Sequence, residues 1–82
     1  MSFYVYVIGS LKKPKRTYVG WTNDLKKRIY KHNSGKGAKF TRGRKWKLLY
    51  SEKSHSKSSA LKKEFELKNN YKFRKIIRER NK

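Results

Sequence analysis

Apolar residues in this chain are gathered into a few short stretches separated by dense runs of lysine and arginine. Phe3 to Ile8, FYVYVI, is aromatic and β-branched throughout, which predicts a strand. Phe3, Val5 and Val7 share one face, and Tyr4, Tyr6 and Ile8 share the other. With both faces apolar or aromatic, the strand is expected at the centre of a sheet. Gly9 to Arg16 holds the only proline and four basic residues and reads as a solvated hairpin loop. Thr17 to Trp21 is expected to pair back as a second, antiparallel strand. A helix follows over about Asp24 to Ser34. Leu25 and Ile29 mark its apolar face, Thr22 and Asn23 offer an N-cap with Asp24 in the first turn, and Gly35 is the natural stop.

Gly35 to Lys45, with three glycines and five basic residues, predicts an irregular, mobile loop. Trp46 to Glu52 reads as a third strand, with Trp46, Leu48 and Tyr50 on one face. A helix is expected from about Ser58 to Asn70, entered through a polar segment that ends in an N-cap. A last basic segment, Tyr71 to Arg80, is also expected to be helical. The order β-β-α-β-α-α describes an α+β fold: one domain over residues 1–82, a small three-stranded antiparallel sheet flanked by helices.

The charge narrows the function. A net charge of +20 on 82 residues destabilises the compact state by self-repulsion unless a polyanion offsets it. Nucleic acid is the expected partner, because neutralising phosphates releases counterions and drives binding. A membrane-surface peptide would want one basic amphipathic helix rather than three strands. The absence of cysteine removes disulfides and cysteine-zinc sites. No apolar run approaches the roughly 20 residues of a spanning helix, and no signal-peptide pattern opens the chain. An intracellular, cytoplasmic protein is the expectation. In the glycine-rich loop, Lys36, Lys39, Arg42 and Arg44 are candidate phosphate contacts, joined by Lys68; the bland alternative is a merely soluble linker.

Candidate chemistry comes from few residues. Arg28 and His32 lie four apart on one side of the first helix. Tyr6 and Tyr18 belong to neighbouring strands, where a buried tyrosine is ordinarily a core residue with a satisfied hydroxyl. The acids are Asp24, Glu52, Glu64, Glu66 and Glu79. On the second long helix, Ala60, Leu61, Phe65, Leu67 and Tyr71 define an apolar stripe at helical spacing, and Glu64 falls within it. Glu66 falls on the solvent side. A carboxylate in a core-facing stripe needs a cation. That cation is either a metal ion or an internal partner such as Lys68, one turn on.

At these residues the chain resembles the GIY-YIG nuclease family, in particular its small single-domain members. The two signature tripeptides stand here as Tyr4-Val5-Tyr6 and Tyr18-Val19-Gly20. The second carries valine for isoleucine, and the first keeps only its final tyrosine. Arg28 and His32 match the family's arginine and histidine on the first helix, and Glu64 matches its glutamate metal ligand. An asparagine found in several members a dozen residues further on has no counterpart near Ile76. The resemblance implies a metal-dependent endonuclease that hydrolyses DNA phosphodiester bonds, in repair, recombination or the processing of structured DNA. It implies Tyr6, Tyr18, Arg28, His32 and Glu64 as catalytic residues and one Mg²⁺, or Mn²⁺, on Glu64. In that scheme Tyr6 is the general base, aided by a cationic neighbourhood, and His32 receives or relays the proton. Arg28 clamps the phosphate and Tyr18 orients it. The rival from another class is a non-catalytic basic nucleic-acid-binding module on the same fold. RNA in place of DNA, and action under a larger protein partner, stay open at this stage.

Overall fold

The computed structural model describes residues 2–80. Its elements run β1 (Phe3–Ser10), β2 (Thr17–Thr22), α1 (Leu25–Asn33), a single 3-10 turn (Lys39–Thr41), β3 (Trp46–Ser54), α2 (Lys57–Lys68) and α3 (Tyr71–Arg80). The sheet is antiparallel with strand order β2-β1-β3, so the doubly apolar β1 is the central strand. Its two faces feed two separate cores. Val5 and Val7 join Val19, Ala60 and Leu67 beneath α2 and α3. Tyr6, Ile8 and Trp46 pack with Tyr18, Leu25 and Ile29 beneath α1. The result is three layers, with α1 on one side of the sheet and α2 and α3 on the other.

Several elements differ in detail from the sequence expectation. The N-cap of α1 is Asp24, whose carboxylate accepts from the Lys27 amide at 3.2 Å, while the Thr22 hydroxyl accepts from the Asp24 amide. Three successive cap-forming residues, Thr22, Asn23 and Asp24, gave the sequence no means of ranking them. The cap of α2 is Ser56, whose hydroxyl accepts from the Ser59 amide. The third strand carries a bulge: Val7 pairs with Tyr50 but Ile8 pairs with Leu48. The extra residue, Leu49, reverses the side-chain alternation. Trp46 and Leu48 therefore lie on the Ile8 face, and Tyr50 turns to the opposite core, where its ring meets Phe73 edge-on at 5.1 Å.

The glycine-rich segment is anchored rather than a freely mobile loop. The Asn33 side chain accepts from the Trp46 amide at 2.6 Å and donates to the Trp46 carbonyl at 3.1 Å, tying the end of α1 to the start of β3. Within the span so closed, the Trp46 indole donates to the Thr41 carbonyl at 2.9 Å. Thr41 is fully buried. Gly35, at φ +80°, makes the left-handed exit from α1.

The apolar stripe proposed for α2 is also corrected. Leu61, Phe65 and Tyr71 are exposed. The inward side of α2 is formed by Ala60 and Leu67, with Lys63 and Glu64 half-buried between them. Glu64 still faces inward, at i+4 from Ala60 and i−3 from Leu67.

Candidate active site

Strand pairing places Tyr6 of β1 opposite Gly20 of β2, and Tyr18 lies two residues before that glycine on the same face. Gly20 is required by close approach. A Cβ there would stand 2.5 Å from the Tyr6 hydroxyl oxygen and 3.2 Å from the Tyr18 ring. Helix α1 then delivers His32. Leu25, Ile29 and His32 recur at i, i+4 and i+7, so the imidazole occupies a position on the buried face and is only 1% exposed. Gly37 makes room for it, because a Cβ there would collide with His32 Nδ1.

The hydrogen bonds around His32 fix its protonation. The Thr41 hydroxyl donates to the Ala38 carbonyl at 2.8 Å, since a carbonyl can only accept. With its one proton so committed, the Thr41 oxygen must accept at its 2.8 Å contact with His32 Nδ1, which is therefore the protonated ring nitrogen. The bare Nε2 accepts from the Tyr6 hydroxyl at 2.7 Å. A directed chain results, from Tyr6 through His32 and Thr41 to a backbone carbonyl. Sequence reasoning missed Thr41: a threonine in a lysine- and glycine-rich loop carries no periodicity, and its partner lies nine residues back.

The electrostatics follow from this packing. Burial pushes the Tyr6 phenol pKa up, with Tyr18 and Glu64 adding to the rise and Arg28 opposing it. Tyr18 is raised by burial and by Glu64, again against Arg28. The expected cationic lowering of Tyr6 is thus present but outweighed by burial. His32 is lowered by burial and by the Arg28 charge, so the ring is held neutral. Arg28 and Glu64, from opposite layers of the fold, both act on the two phenols, and all five sequence-predicted catalytic residues share one neighbourhood.

Glu64 is the acid best placed for a cation. Asp24 is the α1 cap, and Glu52 and Glu66 both pair with Lys63 at 3.7 and 3.8 Å. Glu64 pairs with Lys68 at 3.8 Å, its side chain 18% exposed and that of Lys68 53%. An ion pair to so exposed a lysine is worth little and is readily exchanged. Among the described residues no cluster of three or more His, Cys, Asp or Glu side chains exists. One inward carboxylate fits Mg²⁺, which keeps most of its waters and takes further oxygens from substrate phosphate. Lys36, Lys39 and Arg42 are exposed and Arg44 is half-buried, and none forms an ion pair among the described residues. A depression of about 710 Å³ lies elsewhere, against Leu11, Lys15, Lys47, Leu49 and Arg78. No helix among the described residues is long and apolar enough to cross a membrane.

The GIY-YIG catalytic domain matches residues 2–77. A UPF0213 protein of Staphylococcus saprophyticus is 44% identical over 66 residues, covering 79% of this chain and 78% of that protein. One from Clostridium perfringens is 47% identical over 66 residues, covering 79% and 69%. The solution NMR structure of a UPF0213 protein from Bacillus halodurans is 43% identical, covers 83% of this chain and 71% of that one, and superposes with a TM-score of 0.49.

Two outcomes test the hydrogen-bond chain. Thr41→Val keeps the shape and strands a buried ring N–H, so it should destabilise the fold by about 1–3 kcal/mol in urea titration, with Thr41→Ser near wild type. Equal stability of the valine variant would contradict the assignment. For pH, the folded His32 pKa lies below the unfolded value of about 6.5, so the unfolded chain binds more protons and stability is lost as pH falls through about 6.5. Thermal melts between about pH 7.5 and 5.5 should show a steeper fall in Tm for wild type than for His32→Gln, and parallel slopes would refute it.

Proposed function

The chain belongs to the GIY-YIG catalytic domain family, and from that premise we propose that it is a divalent-metal-dependent endonuclease acting on DNA phosphodiester bonds. The observation that carries the reading is the 2.7 Å bond between the Tyr6 hydroxyl and the bare Nε2 of a neutral, buried His32. A phenol whose pKa is raised is a poor base alone. Coupled to an imidazole that can take its proton, it becomes a relay. The Tyr6 oxygen accepts a proton from the attacking water while its own proton passes to His32 Nε2. The resulting hydroxide attacks phosphorus, the bond to the 3′ oxygen breaks, and solvent supplies the proton that oxygen needs.

Arg28 binds the non-bridging phosphate oxygens, whose charge grows in the transition state. Tyr18, ring to ring with His32 at 5.2 Å, orients the phosphate or the water. Glu64 would hold the Mg²⁺ or Mn²⁺ ion, which stabilises negative charge on the leaving oxygen when bound. The cations of the 36–44 segment, with Lys68, track the backbone. Branched, nicked or single-stranded DNA of the kind that repair and recombination generate fits a domain without a base-reading element. A purely binding module would have no use for a proton-accepting histidine sealed behind a tyrosine.

Glu64→Ala should abolish metal-dependent cleavage across a panel of branched, nicked, single-stranded and duplex DNA while leaving DNA binding largely intact. Cleavage that survives in this variant, or in chelator, would remove the metal role. The paired change Lys36→Ala and Arg42→Ala should instead weaken binding and reduce the slope of log K against log salt by about two. An unchanged slope would show that these cations contact no phosphate.

A further inference from the structure

Phe40 sits at the middle of the 3-10 turn that also carries Thr41. Thr41 points inward to His32, and the Trp46 indole clamps the Thr41 carbonyl. The turn is therefore fixed from below, and Phe40 is left 50% exposed. Its ring stacks on Tyr18 with centroids 6.0 Å apart and planes 22° apart, and it meets Trp46 at 6.2 Å. Among the described residues, Tyr30, Phe65 and Tyr71 are also exposed, but Phe40 alone of these aromatics has a ring–ring contact. A file of rings thus runs from His32 through Tyr18 to Phe40, from the buried relay out to solvent. Exposed Lys39 and Arg42 flank it in the chain.

We propose that Phe40 is a stacking platform for one unpaired nucleobase, and that the substrate is a strand with a base free of the duplex beside the cut. An aromatic face held rigid among cations is the usual combination for gripping single strands, because every base offers a π-face whatever its identity. Bases inside an intact duplex already stack on their neighbours and cannot reach a single ring on a turn. The platform therefore selects gaps, flaps, frayed ends or single strands without selecting a sequence. The position of the cut rests on the nuclease reading above; the stacking of the base does not.

The test is binding in chelator, so that no strand is cut. The probes are oligonucleotides carrying 2-aminopurine in a single strand, in a gapped duplex and in an intact duplex. Wild type should change the 2-aminopurine fluorescence in the first two and not in the third. Phe40→Ala should lose that change and weaken binding to the single strand and the gap by about tenfold, with less than about a twofold effect on duplex. Phe40→Trp should restore both, and Phe40→Leu, which keeps apolar cover over Tyr18, should restore neither. Wild-type behaviour of Phe40→Leu would make Phe40 a simple cap over Tyr18 and overturn the proposal. So would equal losses on all three DNAs, or no loss at all. Phe40-dependent fluorescence without cleavage of any DNA in Mg²⁺ or Mn²⁺ would sink the nuclease reading and leave the platform standing.

Discussion

The His32 ring is held between two hydroxyls, and a single backbone carbonyl, that of Ala38, dictates the direction of both contacts. This constraint links parts of the fold that otherwise share little. The carbonyl belongs to the turn before β3, the ring to α1, and the donating tyrosine to the central strand. For the chain to close, Gly37 must let the loop pass against the imidazole and Gly20 must let β2 pass against the Tyr6 hydroxyl. Three polar side chains, Tyr6, His32 and Thr41, are thereby buried almost completely without an unmet hydrogen-bonding group among them. A buried polar network of this kind is stable only when every member is satisfied. That makes the site self-checking: an error at any one position is felt at the others.

The same arrangement separates two tasks that the sequence mixes. Positive charge is placed outside, on the 36–44 segment and along the helices, where it can meet phosphate. The Tyr6 phenol and the His32 imidazole are placed inside, where burial is the largest influence on their pKa values. Arg28 and Glu64 stand between the two zones, both half-buried and both acting on the phenols. With 25 basic and five acidic residues, the chain has little negative charge to spend on structure. Even so, Asp24 goes to a helix cap, and Glu52 and Glu66 to Lys63. Glu64 is left with only a weak surface partner, which is the condition a labile cation site requires.

Much of this was legible in the sequence because it is local. The β-branched run of β1, the Leu25–Ile29 spacing and the Tyr18-Val19-Gly20 tripeptide each carry their meaning within a few residues. The central position of β1, the antiparallel pairing and the gathering of Tyr6, Tyr18, Arg28, His32 and Glu64 followed. What escaped was non-local or depended on a shift of one residue. The bulge at Leu49 leaves no compositional trace, yet it sends Tyr50 to the other core. The stripe of α2 was drawn through Leu61, Phe65 and Tyr71 as well as Ala60 and Leu67, whereas only Ala60 and Leu67 are buried against the sheet. Thr41 and Phe40 lay in a segment whose glycines and lysines suggested motion. The bonds that pin it come from Asn33 and Trp46, which no pattern within the loop could announce.

The direction of this hydrogen-bond chain depends on which nitrogen of His32 carries the proton. Two-bond proton–nitrogen correlation NMR of the ¹⁵N-labelled protein near neutral pH reads this directly. The hydrogen-bond chain predicts a neutral His32 ring with Nδ1 protonated and Nε2 bare, ready to take a proton from Tyr6. A ring protonated at Nε2, alone or together with Nδ1, would make Nε2 a donor to Tyr6 and remove His32 as the acceptor.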